Sequence, residues 1–136
     1  MVLSELCRRR LSAKVAAWMR GLPEAEVFIS VVSIGEIERG IAKATDAAFA
    51  TELTRWLEDL MRFYSDRVLP VTPLIARRWG RLSAQLGHDG ADLLIAATAA
   101  VHGLTVATRN LRHFARAGVP VMNPFAGEAS RQAAES

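Results

Sequence analysis

The sequence predicts an α/β fold built on a parallel sheet, and three observations predict it. Segments of helical period alternate with short β-branched runs along the 136-residue chain, the pattern of helices laid against a parallel sheet. Val27-Phe28-Ile29-Ser30-Val31-Val32 has the length of a strand and little polar alternation, as expected of a strand buried on both faces. The segment Ala91 to His102 is rich in alanine and leucine around most of its circumference, which predicts a helix enclosed in the domain.

The elements follow in order. Leu11 to Leu22 places Val15, Trp18, Met19 and Leu22 on one helical face, with Ser12 as cap, and Gly21 and Pro23 end it. After the strand at Val27 to Val32, Ser33-Ile34-Gly35-Glu36 opens a helix running to about Ala44. Asp46 starts the next, with Phe49, Leu53, Trp56, Leu57, Leu60 and Tyr64 facing inward. Val68-Leu69-Pro70-Val71 is a short strand. Thr72 caps a further helix whose first residue, Pro73, gives up an N–H that would have no partner there; Ile75, Trp79, Leu82 and Leu86 form its inner face and Gly87 ends it. Gly103 closes the apolar helix that begins at Ala91. Leu104 to Thr108 is a strand, Leu111 to Phe114 a short helix, and Val119 to Met122 a last strand whose Pro120 suits an edge position.

Composition narrows the possibilities. No run of eighteen apolar residues is present, so no membrane-spanning helix is expected. In Met1-Val2-Leu3-Ser4-Glu5-Leu6-Cys7-Arg8-Arg9-Arg10 the charge follows the apolar part, the reverse of a secretory signal, and a cytoplasmic protein is expected. Cys7 is the only cysteine. It allows no intrachain disulfide and no cysteine-rich zinc site. The net charge is +3, and all cationic residues but Lys14 and Lys43 are arginine. Arginine's planar donor fork suits phosphate and points to an anionic partner such as RNA; arginine-rich codon usage accounts for the same excess.

In a parallel α/β sheet, sites form at the carboxyl ends of the strands, which draws attention to two acids. Glu36 follows the strand at Val27 to Val32 within about a helical turn, and Asp92 opens the apolar helix. Two carboxylates brought together repel unless a cation lies between them, and magnesium takes such oxygen ligands while keeping several waters. Spacing alone leaves another reading open for each. Ser33-Ile34-Gly35-Glu36 fits a capping box, and Asp92 suits the positive end of its helix dipole. His88, His102 and His113 share no metal-ligand spacing. Arg109, Arg112 and Arg116 follow a strand, where they either meet phosphate or form a solvated face. Trp18, Trp56 and Trp79 fall on inner helix faces and read as core.

Three segments together resemble the PIN-domain, VapC-like toxins, especially their FitB-like branch. They are Ser30-Val31-Val32-Ser33-Ile34-Gly35-Glu36-Ile37-Glu38-Arg39-Gly40, then Ala91-Asp92-Leu93-Leu94-Ile95-Ala96-Ala97-Thr98-Ala99, then Gly103-Leu104-Thr105-Val106-Ala107-Thr108-Arg109-Asn110 with Phe114 and Asn123-Pro124-Phe125 beyond. The resemblance implies a three-layer α/β/α sandwich with a central parallel sheet. It further implies an endoribonuclease that uses Mg2+ or Mn2+, the toxin half of a type II toxin–antitoxin system, with RNA as substrate, a cognate antitoxin as partner and a homodimer as its assembly. Glu36 and Asp92 take the metal-binding roles, with Asn110 assisting in catalysis. Thr108, Arg109 and Arg112 fall where the substrate-binding loop would lie.

The chain departs from that family pattern twice. The family opens with a hydrophobic strand ending in Asp-Thr-Asn, whose Asp is a metal ligand, whereas Val2-Leu3-Ser4-Glu5-Leu6 resembles the segment just after it. The expectation is a PIN-like domain over residues 1–125 that lacks the central first strand, an upstream start that supplies strand and acid, and a disordered polar tail at 126–136. Where the family often carries an acid after Thr-Arg, this chain has the neutral Asn110. A catalytically impaired module that binds antitoxin or RNA without cutting is the alternative function, and a purely structural fragment is a third.

Overall fold

The computed structural model describes residues 2–3, 27–108 and 111–123. The expected helix at Leu11 to Leu22, with Ser12 and Trp18, lies outside the described residues, as do Cys7, Arg109, Asn110 and the tail. Five strands form one sheet: β1 (Val2–Leu3), β2 (Phe28–Ser30), β3 (Val68–Leu69), β4 (Val106–Ala107) and β5 (Val121–Met122). Their order is β3-β2-β1-β4-β5 and every neighbouring pair is parallel. Five helices accompany them among the described residues: α1 (Val31–Lys43), α2 (Ala47–Phe63), α3 (Pro73–Leu86), α4 (Ala91–His102) and α5 (Leu111–Ala115). The α/β architecture with a central parallel sheet is as the sequence predicts.

The expectation that the central strand is missing is corrected. Val2–Leu3 occupies the middle of the sheet, with Val2 opposite Phe28 on one side and Val106 on the other, and Leu3 opposite Ile29 and Ala107. Two residues suffice because both neighbours supply backbone partners, so β2 and β4 are not left with orphaned polar groups. The edge position expected for Pro120 also holds: β5 is an outer strand, and the Pro120 carbonyl accepts from the Val106 N–H at 2.9 Å.

The pleat sorts side chains into two cores. Phe28, Val106 and Val121 point into one, with Ile75 and Leu82 of α3, Leu93, Ile95 and Ala96 of α4, and Phe114 of α5. Ile29, Ala107 and Met122 point into the other, with Ile37 of α1 and Leu53, Leu57 and Leu60 of α2. Adjacent strand residues alternate between the two, as the twofold repeat of a strand requires. The inner faces read from helical spacing in α2 and α3 hold, and Trp56 and Trp79 pack against the cores.

Local signals fix most boundaries. Asp46 Oδ1 accepts from the N–H groups of Ala48 and Phe49 at 2.9 and 3.3 Å, capping α2. Thr72 Oγ1 accepts from Ile75 N–H at 3.3 Å, with Pro73 following it. Gly87 and Gly103 end α3 and α4 in the left-handed region, at φ of 78° and 65°, where a side chain would be strained.

The strands are shorter than the sequence reading has them: Val68–Leu69, Val106–Ala107 and Val121–Met122 stand where Val68 to Val71, Leu104 to Thr108 and Val119 to Met122 were expected, and one further boundary difference bears on the site. The strand at Val27 to Val32 ends at Ser30, and Val31 and Val32 are already helical. The cap of α1 is Ser30, not Ser33: its Oγ accepts from the Val32 N–H at 3.1 Å. The two valines favour a strand by propensity, but the sheet has run out of partners there and the serine satisfies the first helical donors instead.

Candidate active site

The carboxyl edge of the sheet carries the site. All strands are parallel, so β2 delivers the start of α1 and β4 delivers Thr108 to the same edge. Moving the cap to Ser30 places Glu36 in the second turn of α1, with Ser33 buried inside the helix. The capping-box reading of Ser33 and Glu36 therefore falls, since neither residue sits at the helix start. Glu36 is half-buried without a capping duty to explain it.

Asp92 lies in the first turn of α4. The cap of that helix is Gly90, which offers no side-chain hydrogen bond, so an acid in the first turn has a dipole to complement. It also has a neighbour. α1 straddles the two cores, with Val32 packed against one and Ile37 buried in the other, and it packs against α4. This brings Glu36 and Asp92 together although they are far apart in the chain. Burial pushes the Glu36 carboxyl above its ordinary value, the negative charge of Asp92 pushes it further, and the Arg39 guanidinium pulls it back. Two carboxylates sharing a half-buried edge is an arrangement that a cation relieves.

The other expected residues divide. Thr108 is 0 % exposed and its N–H donates to the Met122 carbonyl at 2.9 Å. It fastens the end of β4 to β5, and its side chain is not open to a substrate, so the place given to it as a substrate-binding residue is not the one its burial supports. Arg112 is exposed on α5. Arg109 and Asn110 lie outside the described residues. His88 and His102 are exposed; the side chain of His113 lies outside the described residues. Among the described residues, no group of three or more His, Cys, Asp or Glu gathers as a metal cluster.

Two contributors escaped the sequence reading. Ser30 sets where α1 begins and so where Glu36 points. Arg39 stands one turn beyond Glu36 and brings a positive charge to it. The i, i+3 spacing of Glu36 and Arg39 was the available signal for the second.

The donor set admits a particular kind of ion. Two half-buried carboxylates with no sulfur or imidazole beside them among the described residues suit a hard divalent cation that keeps part of its water shell.

A parallel α/β domain with paired acids at the carboxyl edge is thus defined by its site as well as its fold. Residues 2–120 match the PIN domain, and the chain belongs to that family. It is 32% identical to Toxin FitB of Neisseria gonorrhoeae over 130 residues, covering 91% of this chain and 94% of that protein. It is also 32% identical to VapC ribonuclease Y4jK of Sinorhizobium fredii over 130 residues, covering 91% and 93%. The crystal structure of FitAcB from Neisseria gonorrhoeae superposes with a TM-score of 0.75 at 30% identity, over 93% of this chain and 99% of that one. No described helix is long and apolar enough to cross a membrane.

Proposed function

We propose that this chain is a divalent-metal-dependent endoribonuclease, the toxin of a type II toxin–antitoxin pair, with Mg2+ or Mn2+ held by Glu36 and Asp92. The observation that carries the reading is the convergence of those two carboxylates, one of them raised by burial and by the other's charge. A relative of similar length is a toxin and another is a ribonuclease, which supports the assignment. A divalent cation supplies Lewis-acid stabilisation and an acidified water to phosphodiester hydrolysis when bound.

The chain's own residues have separable duties. Glu36 and Asp92 bind the ion, and Asn110 assists with a neutral oxygen, as the family resemblance implies. Ser30 and Thr108 hold the ends of β2 and β4 and so keep the acids in place. Arg39, Arg109 and Arg112 hold the substrate's phosphates. A cognate antitoxin, a homodimer and a cytoplasmic setting complete the proposal.

The experiment is RNA cleavage with added Mn2+ by the wild-type chain and by Asp92→Asn. Cleavage lost in a variant that keeps its helix content and cooperative unfolding supports the reading, and cleavage retained sinks it. A second reading, a module that binds antitoxin or RNA without cutting, is favoured by the lack of a third acid gathered at the site among the described residues. It predicts no cleavage by either protein, with RNA binding intact.

A further inference from the structure

Helix α3 has two unlike faces. Ile75 and Leu82 are buried against α4, with Trp79 and Leu86 partly so. The outer face carries Arg77, Arg78 and Arg81, all exposed. Arg77 and Arg81 are one turn apart, and Arg78 lies a turn from Arg81, so the three share one stripe. The helix contains no acidic residue. The Arg62–Asp59 ion pair lies on α2, and no described carboxylate is paired with the stripe. Three arginines so close, with no described carboxylate paired to them, concentrate positive charge on one stripe.

The stripe is placed with respect to the acids. α3 ends at Leu86, and only Gly87, His88, Asp89 and Gly90 separate it from α4, whose first turn holds Asp92. At 1.5 Å per residue, Arg77 to Leu86 spans about 14 Å of a helix whose end is four residues from the helix that carries Asp92. Positive charge leading to a negative catalytic edge fits a polyanion that must be held along its length while one bond is presented to a metal.

We propose that Arg77, Arg78 and Arg81 of α3 form a track that holds the phosphodiester backbone of single-stranded RNA on its way to the Glu36 and Asp92 edge. The proposal rests on the ribonuclease reading for the identity of the anion, but not on cleavage. The occupant is RNA and not an acidic protein segment because every charge on the face is positive and Leu74, at the start of the helix, is its one exposed large apolar side chain, too little for the apolar centre that a stable protein interface needs.

The test is binding of a short mixed-sequence single-stranded RNA in EDTA, so that nothing is cut, across about 50 to 200 mM salt. The proteins are the wild type, the triple variant Arg77→Gln/Arg78→Gln/Arg81→Gln, and the triple lysine variant at the same positions, each checked for unchanged helix content. Each phosphate contact on a single strand contributes about 0.7 to the slope of log affinity against log salt. The glutamine variant should therefore lose a slope of roughly 2, which is ~100-fold in affinity at about 0.1 M salt. The lysine variant should keep most of it. An unchanged slope in the glutamine variant overturns the track, even where the wild type cuts RNA. An unchanged slope with a shift in oligomeric mass likewise overturns it and assigns the face to a protein partner. The ribonuclease reading is judged separately, by Asp92→Asn cleavage.

Discussion

Replacing Asp92 by asparagine should have little effect on the metal-free fold and a large effect on its response to metal. Two opposed terms act on the metal-free protein. At about 5 Å two like charges repel by roughly 1 to 3 kcal/mol for effective dielectrics of about 80 down to 20. Glu36 and Asp92 are both partly exposed, which favours the lower figure, about 1 kcal/mol. Against this, Asp92 sits in the first turn of α4, where an acid gains about 0.3 to 1 kcal/mol from the helix dipole. The sum is a change within about 1 kcal/mol of zero in EDTA. With metal at about 100 times its dissociation constant, the wild type gains roughly 2.7 kcal/mol of stability, about 10 °C in Tm for a domain of this size. A variant with one of the two carboxylates neutralised should lose most of that gain. The assay is thermal unfolding of both proteins in EDTA and across a Mn2+ titration. Destabilisation of the variant by more than about 2 kcal/mol in EDTA would refute the reasoning and make Asp92 a structural residue. So would an equal rise in Tm for both proteins.

Three further outcomes are expected. Glu36 has a folded-state pKa raised above 4.5, so the native state holds its proton more tightly than the unfolded chain; its stabilising contribution is full below about pH 4.5 and is lost as pH rises through the raised value. Denaturant midpoints of the metal-free wild type should show that decline, and Glu36→Gln should remove it. Ser30→Ala takes away the side-chain cap of α1 and should destabilise by about 1 kcal/mol, or several degrees in Tm, whereas the same assay on a Ser30→Asp variant tests whether any capping side chain restores it. Phe114 is 1 % exposed in the α3, α4 and α5 core, and Phe114→Ala should cost about 3 to 5 kcal/mol in chemical unfolding.

Much of the architecture is written locally. Asp46, Thr72 and Pro73 mark helix starts, and Gly87 and Gly103 mark helix ends, because each satisfies or terminates a backbone pattern within a few residues. The 3.6-residue period of Leu53, Leu57 and Leu60, and of Ile75, Trp79 and Leu82, selects the inner faces of α2 and α3 without knowledge of what they meet. The candidacy of Glu36 and Asp92 was legible too, because an acid just after a strand or at the head of an apolar helix needs explaining.

Tertiary structure decided what local pattern could not. Val2–Leu3 is too short to be read as a strand, and it exists as one because β2 and β4 pair with it from both sides. Ser30-Val31-Val32-Ser33 offers two serines to cap one helix and two valines to extend one strand; the end of the sheet at Ser30 chose between them and thereby moved Glu36 into the second turn. The packing of α1 against α4 joined two acids that sequence spacing left as separate helix-terminus residues. Capping and periodicity are short-range and can be read from one segment at a time. Strand pairing and charge convergence depend on residues distant in the chain, so only the folded molecule determines them.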